Sequence, residues 1–283
     1  MTQRKVGWIG LGNIGSPMAS RLLKAGCSMR VWARRPEAAQ AAIDEGAVWV
    51  DEPAALAHGS DVVVTAVGGP QDVLSVYRRM LPGARPGTVF LEMSTAAPAT
   101  ALQLRVLAAE VGAVVLDCPV TGGVTGARAG KLTHFVGGER EVLERCKPLL
   151  EMLSQRIIHC GDSGAGYRMK LINQTMMAGA LLGLADGAAL ARASGIGGDE
   201  LLDALGGGTA SGPLFQAYVH RMVQASGPVT FTLGMLRKDL LMAHSEAVAH
   251  RSSTRLLDFA LVSIDEACSR FGDGAGVQSL AVS

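Results

Sequence analysis

The sequence has no excess of either charge and few aromatic side chains. Its 283 residues include 26 lysines and arginines against 25 aspartates and glutamates, a net charge of +1, and aromatic residues make up 4%. Proteins that bind polyanions usually carry a basic patch or stripe, and none is visible here. The composition therefore argues against a nucleic-acid partner. The chain is long enough for two domains or for one large one.

Paired cysteines and metal-binding motifs are also missing. The histidines include no H-E-x-x-H motif, and His244 and His250 are six positions apart, which places them on different faces of a helix. The cysteines form no C-x-x-C pair, so we expect reduced thiols rather than disulfides. These cysteines are Cys27, Cys118, Cys146, Cys160 and Cys268. The sequence predicts no metal site.

A membrane-directing segment is missing too. The first predicted strand begins almost at the first residue, which leaves no room for a signal sequence. The most apolar stretch, 171–191, contains Asn173, Gln174 and Asp186, so we interpret it as a buried helix rather than a membrane span. These features predict a soluble, cytoplasmic protein with no membrane partner.

Glycine is abundant, with 36 residues, and the most informative glycines lie near the N-terminus. A short apolar run ends at Gly10-Leu11-Gly12-Asn13-Ile14-Gly15, and a helical apolar pattern follows. A G-x-G-x-x-G turn between a strand and a helix is typical of dinucleotide-binding folds. Its glycines allow a tight turn and a close approach to the pyrophosphate, which the first helical N–H groups can bind. All six residues are predicted cofactor contacts, and a plain strand–helix turn is the alternative.

The end of the second predicted strand, 28–32, indicates which dinucleotide binds. An NAD-binding strand usually ends in Asp or Glu, which binds the ribose hydroxyls. Here Ala33 stands at that position, and Arg34 and Arg35 follow. Because a guanidinium can hold a 2′-phosphate through two hydrogen bonds, we predict NADP (NADPH) rather than NAD. The alternative is that both arginines are simply solvated on a turn.

Two further predicted strands, 61–67 and 88–92, end in segments that could contact a cofactor. Ligands bind at the carboxyl edge of open α/β sheets, so Val67, Gly68 and Thr95 are predicted cofactor contacts. Thr95 could instead be only the N-cap of the helix that follows.

The predicted strand 113–118 leads into 119–127, which we predict to be a glycine-rich loop. A hydroxyl beside two glycines, Thr121-Gly122-Gly123, can present successive backbone N–H groups to an anion. A flexible connection is the alternative.

The pattern changes at the glycine-rich segment 161–166. Strands and helices alternate before it, which is typical of a doubly wound sheet, and no convincing strand follows it. The sequence predicts an NADP-binding α/β domain of the Rossmann type at 1–161, with a mostly parallel sheet. A long interdomain helix, 167–194, joins it to an all-α domain at 162–283. We expect the substrate to meet the nicotinamide in the cleft between the domains.

Four separated motifs, spanning nearly the whole chain, resemble those of the β-hydroxyacid dehydrogenase family. That family includes 3-hydroxyisobutyrate dehydrogenase, tartronate semialdehyde reductase and the glyoxylate/succinic semialdehyde reductases. The glycine turn at 10–19 resembles its G-L-G-x-M-G-x-x-M-A motif, and D-C-P-V-T-G-G at 117–123 resembles its D-A-P-V-S-G-G loop, with Thr121 for the usual serine. The segment 166–174 is similar to its G-x-x-x-K-x-x-N-[NQ] helix, and 238–240 matches its K-D-L segment.

The resemblance implies roles for residues whose patterns alone are ambiguous. Thr95 would contact the cofactor near the nicotinamide, and Lys238 would also reach the cofactor. The implied substrate contacts are Thr121, Gly122 and Gly123 at a carboxylate, Asn173 at the reacting group, and Phe231 and Asp239 along the site. Lys170 would be the catalytic acid/base. The implied substrate is a 3-hydroxyacid or the matching semialdehyde, and the implied assembly is a homodimer or homotetramer through the C-terminal helices.

The chemistry of Lys170 is consistent with that role. Lys170 and Asn173 are three positions apart and therefore share one helix face. Hydride transfer to a carbonyl leaves negative charge on oxygen, which a lysine ammonium can neutralise by donating a proton. In the reverse direction the neutral amine must accept the proton of the alcohol. A solvated lysine at the end of a helix is the alternative.

Two other classes of function are also compatible with much of this sequence. An imine reductase shares the two-domain plan but commonly lacks a lysine at this position. A non-catalytic NADP-binding protein would lack an intact site, whereas Lys170 and Asn173 are both present. The identity of the hydroxyacid or semialdehyde, and the direction of the reaction, cannot be predicted from the sequence.

Overall fold

The computed structural model describes residues 4–282, which form two compact units that divide between Lys170 and Leu171. The strands are β1 (Lys5–Ile9), β2 (Ser28–Trp32), β3 (Val48–Trp49), β4 (Val62–Thr65), β5 (Val89–Glu92), β6 (Val114–Asp117), β7 (Val120–Thr121), β8 (Leu132–Gly137) and β9 (Ser154–Gly161). The helices of the first unit are α1 (Gly15–Lys24), α2 (Gln40–Asp44), α3 (Pro53–His58), α4 (Pro70–Met80), α5 (Pro98–Ala109), α6 (Gly123–Ala129) and α7 (Arg140–Glu151). The remaining helices are α8 (Ala165–Ala193), α9 (Gly198–Leu205), α10 (Pro213–Gln224), α11 (Leu233–Ala249) and α12 (Arg255–Phe271).

The first unit contains a nine-stranded, mostly parallel sheet. The strand order is β3-β2-β1-β4-β5-β6-β8-β7, and β9 pairs with β8. Strands β1 to β6 are all parallel, whereas β8 runs antiparallel to β6 and β7. This architecture confirms the predicted doubly wound α/β sheet.

Apolar residues on both faces of the sheet explain why helices cover it on both sides. Every residue of β4 and β5 is buried, as expected for central parallel strands. Met18 and Leu22 of α1 pack in the core of one face, and Leu104 of α5 belongs to the core of the other. Because alternate strand residues point to opposite faces, the continuous apolar runs of β1, β4 and β5 supply both cores.

The second unit is built from helices around one apolar cluster. Leu181 of α8, Leu236 and Leu240 of α11 and Ile264 of α12 are all completely buried in that cluster. In the described part of this unit no segment forms a strand, although one isolated bridge pairs Thr232 with Gly276. The predicted all-α character is therefore confirmed.

Helix α8 is long and apolar enough to cross a membrane by length and composition alone. The core helix of a soluble protein passes the same test, and Ala178, Leu181, Ala185 and Ala188 of α8 are buried in the apolar cluster.

The prediction that 119–127 is a loop is wrong. Val120 and Thr121 form strand β7, paired with His134 and Thr133 of β8, and α6 begins at Gly123. Val and Thr have high strand propensity, which the glycine-rich composition around them masked. The short helices α2 and α3 also went unpredicted.

Candidate active site

The glycine turn lies where the strand order of the sheet reverses, between β1 and β4. A Cβ on Gly10 would lie 2.1 Å from the carbonyl oxygen of Ala66, and the φ of Gly10 is +101°. A Cβ on Gly15 would lie 1.8 Å from the Gly10 carbonyl oxygen. Both glycines are therefore required by the packing of the chain itself. In open α/β sheets such a reversal marks the ligand-binding crevice.

Gly12 and the start of α1 fit a bound phosphate. A Cβ on Gly12 would meet no protein atom within 4 Å, so this glycine leaves space open rather than filling it. Helix α1 has no acidic residue in its first turn and no side-chain hydrogen bond at its N-cap, Ile14. The Ser16 amide is bonded to the Gly12 carbonyl oxygen and Pro17 has no N–H, so an anion from outside the chain would bind the backbone N–H groups of the turn up to Gly15. Leu11 and Asn13 complete this exposed or half-buried turn.

Arg34 and Arg35 are both exposed at the carboxyl end of β2. The guanidinium of Arg34 donates a hydrogen bond to Asp72 of α4, with a distance of 2.9 Å. Within the described residues, Arg35 forms no ion pair. The structure thus places both predicted arginines at the same edge of the sheet as the glycine turn.

A buried carboxylate, Glu92, connects the loops that follow β4 and β5. The Thr65 hydroxyl donates a hydrogen bond to the Glu92 carboxylate, which also accepts a hydrogen bond from the Ser94 amide at 2.8 Å. The Ser94 hydroxyl in turn accepts from the Val67 amide at 2.8 Å. These bonds fix the backbone of the two segments that contain the predicted cofactor contacts Val67, Gly68 and Thr95. Thr95 is not an N-cap, since that position of α5 is occupied by Ala97.

Glu92, Ser94 and Asp117 also belong to this region, although the sequence patterns did not predict a role for them. Thr65, Glu92 and Asp117 are register partners on neighbouring strands and are all buried. Burial raises the pKa of Glu92 to about 7, although hydrogen bonds from Ser94 and Thr65 oppose the shift. The available signal was a polar residue at the end of each of three apolar strands.

Asp117 binds the N-terminus of α8, and Lys170 lies in the second turn of this helix. The two carboxylate oxygens of Asp117 accept hydrogen bonds from the Gly164 amide at 2.8 Å and the Tyr167 amide at 2.9 Å. A Cβ on Gly166 would lie 2.5 Å from the Phe135 carbonyl oxygen, so the helix starts in close contact with the sheet. Lys170 is 8% exposed. Burial raises the pKa of Asp117 to about 6, against the effect of these backbone hydrogen bonds.

The segment predicted to hold a carboxylate, 121–123, lies between the end of β7 and the start of α6. Thr121 is half-buried, and Gly122 and Gly123 are exposed, with φ values of +124° and +64°. These left-handed conformations favour glycine and turn the chain from β7 into α6. The exposed backbone at this turn is accessible to a ligand.

Two other ionisable groups near this segment are held neutral. Burial raises the pKa of the Cys118 thiol well above its usual range. It also lowers the pKa of His134 to about 4, and a ring nitrogen of His134 hydrogen-bonds the Cys118 carbonyl oxygen at 3.2 Å. Neither group is suited to exchange protons near neutral pH.

In the second unit, hydrogen bonds and an ion pair connect four residues: Asn173, Gln174, Asp239 and Lys238. Asn173 donates to Gln174 at 3.0 Å, and Gln174 donates to Asp239 at 2.6 Å. The other carboxylate oxygen of Asp239 pairs with Lys238 at 2.7 Å. Asp239 is thus engaged on both oxygens and fixes Gln174 and Lys238. Phe231 is half-buried just before α11, and its carbonyl accepts from the Val277 amide.

The described residues contain neither a disulfide bond nor a cluster of metal-binding side chains. All five cysteines there are free thiols. Residues 4–282 contain no group of three or more histidine, cysteine, aspartate or glutamate side chains that could hold a metal ion.

Two family models match the chain. One, described as the NAD binding domain of 6-phosphogluconate dehydrogenase, matches residues 5–161. The other, described as the NAD-binding domain of NADP-dependent 3-hydroxyisobutyrate dehydrogenase, matches residues 164–282. Together they extend over both units.

Relatives of known activity are similar over most of their length. The chain is 34% identical over 261 residues to the 3-hydroxyisobutyrate dehydrogenase of Pseudomonas aeruginosa, covering 89% of this chain and 88% of the relative. It is 34% identical over 268 residues to the NAD-dependent L-serine dehydrogenase of the same species, covering 91% and 90%.

Solved structures show the same two-part architecture. Mycobacterium tuberculosis 3-hydroxyisobutyrate dehydrogenase with L-serine is 29% identical, with a TM-score of 0.84 and 99% of both chains covered. Psf3 in complex with NADP+ and 2-OPP is 26% identical, with a TM-score of 0.90 and 98% and 99% covered. An imine reductase from Pseudomonas sp. covers all of both chains at 18% identity and a TM-score of 0.70, a likeness of fold alone.

Proposed function

The chain belongs to the β-hydroxyacid dehydrogenase family, and from that premise we propose a specific reaction for it. The protein transfers a hydride between the nicotinamide C4 of NADP and the alcohol or aldehyde carbon of a small carboxylate-bearing substrate. That substrate is a 3-hydroxyacid or a semialdehyde, and Lys170 is the general acid/base. The observation that carries this proposal is the burial of Lys170 one turn after the backbone amide that Asp117 binds.

The cofactor assignment rests on the residues around the glycine turn. The open space at Gly12 and the uncapped start of α1 suit a pyrophosphate. The absence of a carboxylate at Ala33, with Arg34 and Arg35 after it, suits a 2′-phosphate. Relatives of this chain include both an NAD-dependent enzyme and a structure that contains NADP+. We therefore assign the preference for NADP to these two arginines.

Lys170 moves the proton in the proposed mechanism. When bound, the nicotinamide supplies or accepts the hydride. During reduction, the Lys170 ammonium donates a proton to the oxygen on which negative charge develops. During oxidation, the neutral amine accepts the proton of the hydroxyl group. Burial shields this exchange from bulk water.

Other residues of the chain orient the substrate. The backbone N–H groups at Gly122 and Gly123 and the Thr121 hydroxyl hold the carboxylate, as hydrogen bonds to a charged group are stronger than neutral ones. Asn173 hydrogen-bonds the reacting oxygen from the helix face that it shares with Lys170. Lys238 reaches the cofactor, and Phe231 and Asp239 line the site.

We also propose that the protein is cytoplasmic and assembles as a homodimer or homotetramer through its C-terminal helices. Helix α8 carries large apolar side chains that are exposed within the single chain, among them Ile172, Met176 and Leu190. Burying such side chains against another copy is favourable, by roughly 25 cal/mol per Å². Light scattering on the purified protein would test this assembly.

The experiment that tests the proposed function follows absorbance of the reduced nicotinamide across a substrate panel. NADPH is paired with short semialdehydes, and NADP is paired with 3-hydroxyisobutyrate, L-serine and related 3-hydroxyacids. Each reaction is repeated with the non-phosphorylated dinucleotide. We expect turnover on at least one carboxylate-bearing substrate and higher kcat/KM with NADP(H). Turnover of a cyclic imine but of no acid would contradict the proposal and favour an imine reductase. Binding of the cofactor without turnover of any substrate would favour a non-catalytic protein.

A further inference from the structure

Asp72, which the proposed function does not use, connects two loops at the carboxyl edge of the sheet. It lies in the first turn of α4, after the loop that follows β4. One of its oxygens accepts a hydrogen bond from Arg34, in the loop after β2, at 2.9 Å. Its other oxygen lies over Gly68, where an added Cβ would be only 2.6 Å away. The Asp72 carboxylate is therefore hydrogen-bonded to the loop that contains Arg34 and lies close to the loop that contains Gly68.

These two loops flank the strand that leads into the glycine turn. The sheet order β2-β1-β4 places β1 between them. In a dinucleotide-binding fold with the pyrophosphate at the start of α1, the adenosine ribose lies toward the end of β2. Asp72 is therefore a negative charge beside Arg34, one of the two arginines that would hold a 2′-phosphate.

The pairing of Arg34 with Asp72 changes what Arg34 offers to a phosphate. A guanidinium bonded to a carboxylate has less of its positive charge and fewer of its donors available. An unphosphorylated ribose imposes no such competition, because it carries no charge at that position. Arg35 has no ion-pair partner among residues 4–282 and does not face the same constraint.

We propose that Asp72 is a specificity-determining residue that weakens binding of 2′-phosphorylated dinucleotides by holding Arg34. This inference rests on the proposed use of a nicotinamide dinucleotide. It extends that proposal by assigning the balance between NADP and NAD to an ion pair rather than to the arginines alone.

The size of the effect follows from the exposure of the pair. The side chains are 75% exposed for Arg34 and 33% exposed for Asp72. Ion pairs exposed to this degree are screened by water and salt. We therefore expect removal of the Asp72 charge to tighten NADPH binding by about threefold to tenfold at low salt, and by less at high salt.

The test measures the Kd values of NADPH and NADH by nicotinamide fluorescence, without any substrate. The variant is Asp72→Asn, which keeps the shape of the side chain but removes its charge. The matched control is Asp61→Asn, which breaks an Arg–Asp pair of similar length, 3.1 Å to Arg85, at the amino end of β4. The same titrations are repeated in an Arg34→Ala background, to show whether Asp72 acts through Arg34.

We expect Asp72→Asn to lower the Kd of NADPH, to leave that of NADH unchanged, and to lose its effect when Arg34 is absent. This shift in the ratio is expected whichever dinucleotide the wild type prefers. An unchanged ratio, an equal shift in the Asp61→Asn control, or a gain that persists without Arg34 would overturn the inference alone. Failure of the wild type to bind either dinucleotide would instead overturn the proposed function, and this inference with it.

Discussion

At the scale of single residues, positions 10 and 12 require glycine for different physical reasons. Gly10 has a left-handed backbone and a carbonyl oxygen at 2.1 Å from where a Cβ would lie. Gly12 has open space around the same position. Glycine is therefore needed at position 10 for the chain to fold, whereas glycine at position 12 leaves room for a molecule that is not part of the chain.

This difference predicts opposite outcomes for two alanine substitutions. Gly12→Ala should change the free energy of unfolding by less than about 0.5 kcal/mol, because no protein atom is displaced. It should nevertheless weaken NADPH binding by about tenfold or more, because the methyl group occupies the approach to the pyrophosphate. Gly10→Ala should destabilise the fold by roughly 1–3 kcal/mol through backbone strain and the clash with Ala66. Urea unfolding and fluorescence titration measure both effects, and a Gly12→Ala variant that binds NADPH like the wild type would contradict this account.

Glu92 predicts a pH-dependent contribution to stability. Burial raises its pKa in the folded state to about 7, above its value of 4.5 in the absence of the fold. The folded state therefore binds the proton more tightly than the unfolded state, and stability falls as pH rises between those two values. Tyr77, Tyr167, Asp117 and Cys118 surround this carboxylate, and burial raises the pKa of each of them as well.

The variant Glu92→Gln isolates the contribution of this one group. The glutamine amide oxygen can still accept a hydrogen bond from the Ser94 amide, and its NH₂ group can donate one to the Thr65 hydroxyl oxygen. Unlike the carboxyl group, the amide does not titrate. Between the two pKa values, each pH unit changes the free energy of unfolding by about 1.4 kcal/mol, and above pH ~7 the change levels off. From about pH 5.5 to pH 8.5 the wild type should therefore lose about 2 kcal/mol more than the variant. Parallel stability curves for the two proteins, measured by urea unfolding, would show that Glu92 does not titrate in this range.

At the scale of secondary structure, the start of α8 is the element on which the proposed chemistry depends. Its N-terminal amides are bound by Asp117, and Gly166 allows the first turn to pack against the carbonyl oxygens of Phe135 and Asp117. Carboxylates that accept such amides stabilise helix N-termini through hydrogen bonds and through the helix dipole. Asp117, at the end of β6, thus anchors the start of α8 to the sheet and so fixes the position of Lys170.

Asp117→Asn should therefore destabilise the first turns of α8. The amide NH₂ of asparagine would face a backbone N–H group in place of an acceptor, which leaves a buried donor without a partner and costs roughly 1–3 kcal/mol. Asp199→Asn is the control, because it makes the same change in the first turn of α9 at a side chain that is 92% exposed. Hydrogen exchange at Gly164 and Tyr167, measured at about pH 8, should accelerate only in the Asp117 variant. Equal exchange in the two variants would contradict the role assigned to Asp117.

At the scale of the whole molecule, the features predicted correctly are those that local sequence determines. Strand β2 has the predicted bounds, 28–32, and the predicted alternation of strands and helices forms the mostly parallel sheet. Helix α6 was missed because four of the residues at 122–130 are glycines, which usually indicate a loop. The family resemblance added functional roles that periodicity could not assign.

The contacts that position the site could not be predicted, because they join distant parts of the sequence. Asp117 and Tyr167 are 50 positions apart, and Arg34 and Asp72 are 38 positions apart. Asp239 was predicted to line the substrate site, and the structure also shows it bound to Gln174 and Lys238. Such pairs follow from strand order and helix placement, which exist only in the folded chain.

The most direct test of the central claim is the loss of activity in Lys170→Met, measured as kcat on a substrate identified by the panel. We expect kcat to fall by about 100-fold to 10,000-fold, the usual contribution of general acid–base catalysis, with the Kd of NADPH unchanged. Lys147→Met on α7, where the side chain is 46% exposed, should retain wild-type activity. A Lys170→Met variant that keeps its activity within about tenfold of the wild type would contradict the assignment of Lys170 as the acid/base.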